Sequence, residues 1–235
     1  MPLPVLETPK YIFTVPSTKK RIEYRPFLVK EEKILMIAQE TKDPDQIVKA
    51  IKDIITTCTF EKIDIDKCTN YDIEYLFLKL RAKSIGETAT VGVACKECNK
   101  PNDVEINLEN VNIIYPKVKP SPIIKITDSV GLTLKPLTLS DSERIGKLES
   151  SDDILNQSLI SSIETIYDSS NTYSVPNDCS EEELITFIES LNHKQLEAIQ
   201  EFISGQPALK HTVEFECIHC KHKNKIELEG IQSFF

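Results

Sequence analysis

Residues 11–15 (YIFTV) are rich in aromatic and β-branched residues, residues 21–25 (RIEYR) alternate polar and apolar, and a polar turn lies between them. Strand-like sequence on both sides of a turn predicts a β-hairpin, and Pro26 ends it. The spacing then becomes helical. From about Lys30, Ile34, Leu35, Ile37 and Ala38 fall on one side of a first helix. A second helix is announced by Asp43 as N-cap, Pro44 at the first helical position and Gln46 where a capping box wants Glu or Gln. Its apolar stripe is Ile47, Ile51, Ile54 and Ile55. A third covers residues 71–83, where Ile73, Leu76, Phe77 and Leu80 repeat at helical spacing. Tyr75 and Leu78 widen that face, which predicts burial on more than one side. Alternation returns in residues 88–94 and 103–108, on either side of the pair Cys95-x-x-Cys98.

After the proline-rich stretch YPKVKPSP (residues 115–122) the plan restarts. Residues 123–126 and 132–135 predict a second hairpin, ended by Pro136. The exits compare directly: IEYRPFLVKEEKI from Ile22 and LTLKPLTLSDSERI from Leu132. Helices follow again, with capping boxes expected at Ser140/Glu143, Ser180/Glu183 and Asn192/Gln195. Their stripes are Leu155, Leu159, Ile163 and Ile166, then Leu184, Phe187, Ile188 and Leu191, then Leu196, Ile199, Phe202 and Ile203. Two strands, residues 211–216 and 225–229, flank a second pair, Cys217-x-x-Cys220. The expected fold class is therefore α+β: two similar halves, each a β-hairpin, helices and a Cys-x-x-Cys strand hairpin. The expected division is residues 1–114, a linker at 115–122, and residues 123–235, read as an internal duplication.

The cysteine pairs are embedded alike. Each is followed, at equal distance, by an asparagine (Asn102 or Asn224) and an apolar-Glu-apolar triplet. A tetrahedral structural zinc takes four thiolate or imidazole ligands, and one such knuckle supplies two. Two knuckles brought together would make a zinc-ribbon-like site with Cys95, Cys98, Cys217 and Cys220 as ligands and one structural Zn2+ per chain, tying the halves together. Two rivals stay open. A thioredoxin-like redox pair needs its first thiolate at a helix N-terminus, whereas strand-like sequence follows each pair here. The other is a degenerate knuckle without metal. His219 and His222 could substitute as ligands, but four cysteines suffice and both read as exposed turn residues. Cys58, Cys68 and Cys179, the remaining three of seven, read as inert thiols.

Composition narrows the function. A chain of 235 residues, 40% hydrophobic and 28% charged, is expected to be globular and soluble; no apolar run approaches membrane length, and the start MPLPVLETPKYIF lacks secretory-signal regions. A net charge of −9 argues against blanket phosphate contact, and the basic run Ser17–Arg21 reads as a solvated turn. Six glycines without a cluster leave no phosphate cradle. No Gly-x-Ser-x-Gly, His-Glu-x-x-His or kinase set is present, His193 and His211 read as surface residues, and the acidic clusters Asp152-Asp153 and Glu181-Glu182-Glu183 sit where helix N-termini favour carboxylates. Neither an enzyme nor a small-molecule substrate is expected.

Two stretches carry a family resemblance: RPFLVKEEKIL from Arg25 and YDIEYLFLKLRAKSIGE from Tyr71, with the Cys-x-x-Cys soon after. Together they resemble the baseplate hub subunit family of T-even-type contractile-tailed bacteriophages, most clearly over residues 20–110. The resemblance implies a late structural or assembly protein of the phage tail, made in the bacterial host cytoplasm and partnered by other hub and tape-measure proteins. It leaves open whether the protein stays in the virion tail baseplate. The alternative is a zinc-ribbon nucleic-acid-binding or transcription-associated protein, which the acidic balance opposes. The terminal Phe234-Phe235 reads either as an anchor for a partner's pocket or as packing on the chain's own core.

Overall fold

The computed structural model describes residues 6–41, 43–230 and 233. In chain order the elements are β1 (Tyr11–Thr14), β2 (Arg21–Tyr24), α1 (Val29–Thr41), α2 (Pro44–Cys58), α3 (Asn70–Ser84), β3 (Thr88–Ala94), β4 (Pro101–Asn107) and β5 (Asn112–Ile114). Then come β6 (Ile123–Lys125), β7 (Gly131–Leu134), α4 (Leu139–Ile145), α5 (Ser151–Ser162), β8 (Ile163–Tyr167) and β9 (Thr172–Ser174). The chain closes with α6 (Glu181–Glu189), α7 (His193–Ser204), β10 (Ala208–Glu216) and β11 (Lys223–Glu229).

These elements form two compact units, residues 1–114 with 208–235, and residues 115–207. The expected second half, 123–235, is thus shared between them. The cause is strand pairing: β10 hydrogen-bonds to β5 with Ala208 opposite Ile114, as well as to β11. The chain leaves the first unit from one strand and re-enters it on that strand's antiparallel neighbour. Residues 115–207 are an insertion at what would otherwise be a hairpin turn. Replacing them with a short turn is expected to leave the first unit folded, with a cooperative thermal transition of its own; an unfolded product would contradict this.

In the first unit, α3 is buried on several sides, as its wide apolar face predicts. Leu78 and Ala82 pack with Val91, Ile106, Leu209 and Val213 from the surrounding strands and with Val111, just before β5. Thr69 caps α3 in a reciprocal box with Asp72. The Asp72 carboxylate also accepts from the Ser17 amide (2.9 Å) and hydroxyl, so the polar turn of the first hairpin, whose residues 17–21 are exposed as expected, is tethered to α3. At the other end of α3, the Phe27 amide donates to Ser84 Oγ. The conspicuous stretch from Tyr71 therefore fastens both ends of the hairpin. Asp72 is 1% exposed. Asp72→Ala orphans several donors and is expected to cost about 2–3 kcal/mol in chemical denaturation; a change within about 0.5 kcal/mol, ordinary for a surface site, would contradict the clamp.

Helix α1 turns a different face inward than expected. Leu35 and Ala38 are buried, but so is Glu31, while Ile34 and Ile37 are exposed. A buried cation explains the exception. Arg25 donates from Nη2 to Glu31 Oε1 at 2.9 Å, and the Leu28 amide donates to Glu31 Oε2. At the start of α2, the Asp43 side chain accepts from the Asp45 amide and the Gln46 amide group, so Gln46 bonds the cap's side chain rather than its backbone. Its far end is a Schellman turn: Glu61 N donates to Thr56 O and Phe60 N to Thr57 O. The left-handed position that glycine ordinarily fills is held by Phe60 at φ 56°, followed by Glu61 at 58°. That conformation costs an L-residue about 1–2 kcal/mol.

The second unit is a four-stranded antiparallel sheet, β6-β7-β8-β9, packed with helices around Leu132, Leu159, Ile163, Leu184, Ile199 and Phe202. Two expectations fail here. The Leu155–Ile166 stripe is not one helix: α5 stops at Ser162, and Ile163 and Ile166 lie on β8. A register shift against Thr133/Leu134 adds a residue to β8, so Ile163 and Ile166 both face inward at a spacing that mimics a helix. The first box forms two residues early, between Thr138 and Asp141 instead of Ser140 and Glu143. Ser180/Glu183 and Asn192/Gln195 form reciprocal boxes as expected.

The exits from the two hairpins are built alike. The residue before the proline donates its amide to the last residue of a following helix: Arg25 to Cys58 O, Lys135 to Ser162 O. Three residues on, Leu28 N donates to the Glu31 carboxylate and Thr138 N to the Asp141 carboxylate. α1 and α4 start at the next residue, Val29 and Leu139.

Candidate metal centre

Each cysteine pair sits on a hairpin tip, and the tips match. After β3, Cys95 N donates to Lys100 O and Asn99 N to Cys95 O; after β10, Cys217 N donates to His222 O and Lys221 N to Cys217 O. Asn99 and Lys221 take the left-handed conformation (φ 55° and 62°) that turns the chain back beneath each pair. The Glu97 and His219 amides lie 3.4 Å from Cys95 Sγ and Cys217 Sγ.

The two asparagines lock one tip to the other. Asn102 Oδ1 accepts from the Ile218 amide and Asn224 Oδ1 from the Lys96 amide, both at 2.9 Å. Each holds its own turn as well, donating to Lys100 O and His222 O at 3.0 Å. Both are buried. The exchange is reciprocal, as a local two-fold relation requires. Sequence reading placed these asparagines in the repeat but assigned them no role; their equal offset from the cysteines was the available signal.

Between the tips the Sγ atoms of Cys95, Cys98, Cys217 and Cys220 all lie within 4.8 Å of one another. Cys95 and Cys220 are 3.7 Å apart, and Cys98 and Cys217 3.6 Å. A disulfide would need roughly 2.05 Å. A tetrahedron with metal–sulfur bonds of about 2.3 Å has edges of roughly 3.8 Å. The spacing is too long for a disulfide and is compatible with a metal ion among the four sulfurs. All four belong to the first compact unit, so the cluster joins a hairpin of residues 1–114 to one of residues 123–235 inside that single unit.

The electrostatics agree. Burial opposes ionisation of Cys217, but the amides of Cys220 and His219, with Asn102 and Cys98, outweigh it and hold the thiol down at about 6. Cys95 is lowered in the same way: burial is overcome by the Cys98 amide, Asn224 and the Glu97 amide. Cys220 is pushed up to about 12: the His222 amide favours its thiolate, but burial and the three neighbouring sulfurs prevail. Four thiolates cannot coexist here without a cation among them.

Other candidates stand apart from this cluster. His219 and His222 are exposed turn residues, and His193 is exposed. Burial pushes the Cys58 thiol up to about 11 and the Cys68 thiol up to about 12, and raises Cys179, which keeps all three unreactive. Phe234 and Phe235 lie outside the described residues. Among the described residues no helix is long and apolar enough to cross a membrane.

Comparison with curated proteins gave no significant match, and neither did comparison with solved structures. The family model described as T4 bacteriophage base plate protein matches residues 8–235, almost the entire sequence. Family membership supports a structural, non-enzymatic role in the phage tail among other baseplate components. The chain belongs to the T4 bacteriophage base plate protein family.

Proposed function

We propose that the protein is a structural or assembly subunit of the central hub of the baseplate, working by protein–protein binding and stiffened by one structural Zn2+ per chain. Cys95, Cys98, Cys217 and Cys220 are the proposed ligands. The observation that carries the metal reading is the mutual approach of four sulfurs within 4.8 Å at tetrahedral spacing. Four sulfurs leave no open position for water, so the metal is structural and not catalytic. The hub assignment and the hub and tape-measure partners rest on the stretches from Arg25 and Tyr71. Assembly takes place in the bacterial host cytoplasm. The test is assembly: tails made without this chain should lack a complete hub, and restoring the wild-type chain should rescue them. Complete hubs without it would reject the role.

We further propose that residues 1–114 and 123–235 descend from one duplicated unit. Support comes from the matching hairpin exits, the equal helix starts and the reciprocal Asn102/Asn224 bonds. The strands β8 and β9 would be additions to the second copy. Exchanging residues 95–102 with 217–224 should give a chain that still folds and holds the metal. Loss of both would count against equivalence.

A further inference from the structure

We propose that the outer face of the β1–β2 hairpin, with the loop after α2, is a docking surface for an acidic protein segment that carries an apolar side chain. The proposal rests on the reading of this protein as a subunit that acts by binding other proteins. A cleft of about 460 Å³ is lined by Ile12, Lys20, Arg21, Ile22, Glu23 and Lys62. A smaller cavity of about 160 Å³ continues it along Ile63, Asp64 and Lys67. In a chain of net charge −9, Lys20, Arg21, Lys62 and Lys67 outnumber Glu23 and Asp64 along these two linings, with Glu61 exposed in the adjoining loop. Glu23 is already engaged by Lys10 and Lys62, and Asp64 by Lys67. Lys20 and Arg21 make no ion pair among the described residues, which leaves two cations for a ligand.

Phe60 is the second, independent observation. It occupies the left-handed cap of α2, where glycine would be free of strain. Phe60 as a whole is 37% exposed, and Lys10 and Lys62 lie over its ring at 5.2 and 5.6 Å from the centroid. A strained, partly exposed aromatic residue flanked by ammonium groups offers an apolar face beside cations. Such strain collects at binding sites, where it presents a side chain in advance. Ile12, 61% exposed, supplies a further apolar contact on the same hairpin. Apolar groups among cations fit an amphipathic acidic peptide. A nucleic acid fits worse, because two unpaired cations on a chain of net charge −9 give no extended basic footprint for a phosphate backbone.

The chain contains no tryptophan, so a Trp-bearing peptide is a clean fluorescent probe. The probes are a synthetic peptide alternating Asp and Ile around one Trp, the same peptide with Asn for Asp, an oligo-aspartate with one Trp, and a labelled DNA oligonucleotide. The full-length protein should bind the first probe best, with affinity falling as salt is raised. Phe60→Gly and Arg21→Glu should each weaken binding about tenfold or more, while Phe60→Gly melts no lower than the parent. Equal binding by either variant, by the Asn peptide, by the oligo-aspartate or by DNA would overturn the proposal. Such a failure with hub assembly and metal content intact rejects this surface alone, whereas failed assembly with peptide binding intact rejects the hub role alone.

Discussion

Removing the proposed structural metal is expected to unfold the first compact unit. A Cys217→Ser chain, or the wild-type chain after a strong chelator, should lose the cooperative thermal transition of residues 1–114 with 208–235. The reasoning is quantitative. Structural zinc sites bind with apparent free energies of roughly 10–16 kcal/mol in small peptides, as large as the total stability of a domain, roughly 5–15 kcal/mol. The geometry adds a local reason. Without a cation, four thiols within 4.8 Å cannot all ionise, and the two tips would be held by the Asn102 and Asn224 bonds and one from Lys96 Nζ to Lys225 O, beside the apolar core the hairpins share. Cys220→Ser should be milder than Cys217→Ser, because Cys220 is exposed and water can complete the coordination, whereas Cys217 is buried. Circular dichroism melts with and without chelator check both points. Unchanged melting after chelation would show that the hairpins need no metal.

The second large effect is expected at the Arg25–Glu31 pair. Glu31 is 4% exposed and Arg25 9%, and the two meet at 2.9 Å. Arg25 also donates to Pro26 O, and its Nη1 lies 3.7 Å from Cys58 Sγ, so the guanidinium ties α1, α2 and the hairpin exit together. Breaking a buried pair on one side leaves an uncompensated charge and costs about 3–5 kcal/mol. Glu31→Ala should therefore lower the denaturation midpoint sharply. Replacing both residues by apolar ones of similar size should recover much of the loss, since the desolvation cost disappears with the charges. A Glu31→Ala chain as stable as wild type would contradict this account. The pair also sets an acid response. Burial alone would raise the Glu31 carboxyl, but Arg25 and the Leu28 amide outweigh it and hold the group below its ordinary 4.5. A depressed folded value contributes stability that is present above pH 4.5 and is lost as pH falls through the lowered value. Stability should fall below pH 4.5 in the wild type and less steeply in the double apolar variant.

Much of the site was legible because metal binding is written in local spacing. Two Cys-x-x-Cys pairs, strand-like flanks and equally placed asparagines name the four residues that the fold gathers. What could not be read was which compact unit would hold them. That is decided by β5, only three residues long, whose pairing with β10 spans a long insertion and leaves no periodic signal. The misread positions have physical causes of the same kind. Ile163 and Ile166 imitate helical spacing because a bulge resets the alternation. Ile34 and Ile37 read as core because an apolar-stripe argument cannot anticipate a buried carboxylate such as Glu31 paired with Arg25. The role of Asp72 was hidden for a related reason: its partner Ser17 lies far away in sequence.

The most direct test of the central claim is native mass spectrometry of the protein purified under reducing conditions, before and after a strong chelator. One zinc ion per chain, lost together with the folded charge-state envelope, is the predicted result. A freshly prepared, fully reduced chain that is folded and carries no metal, or one ion shared between two chains, would contradict it.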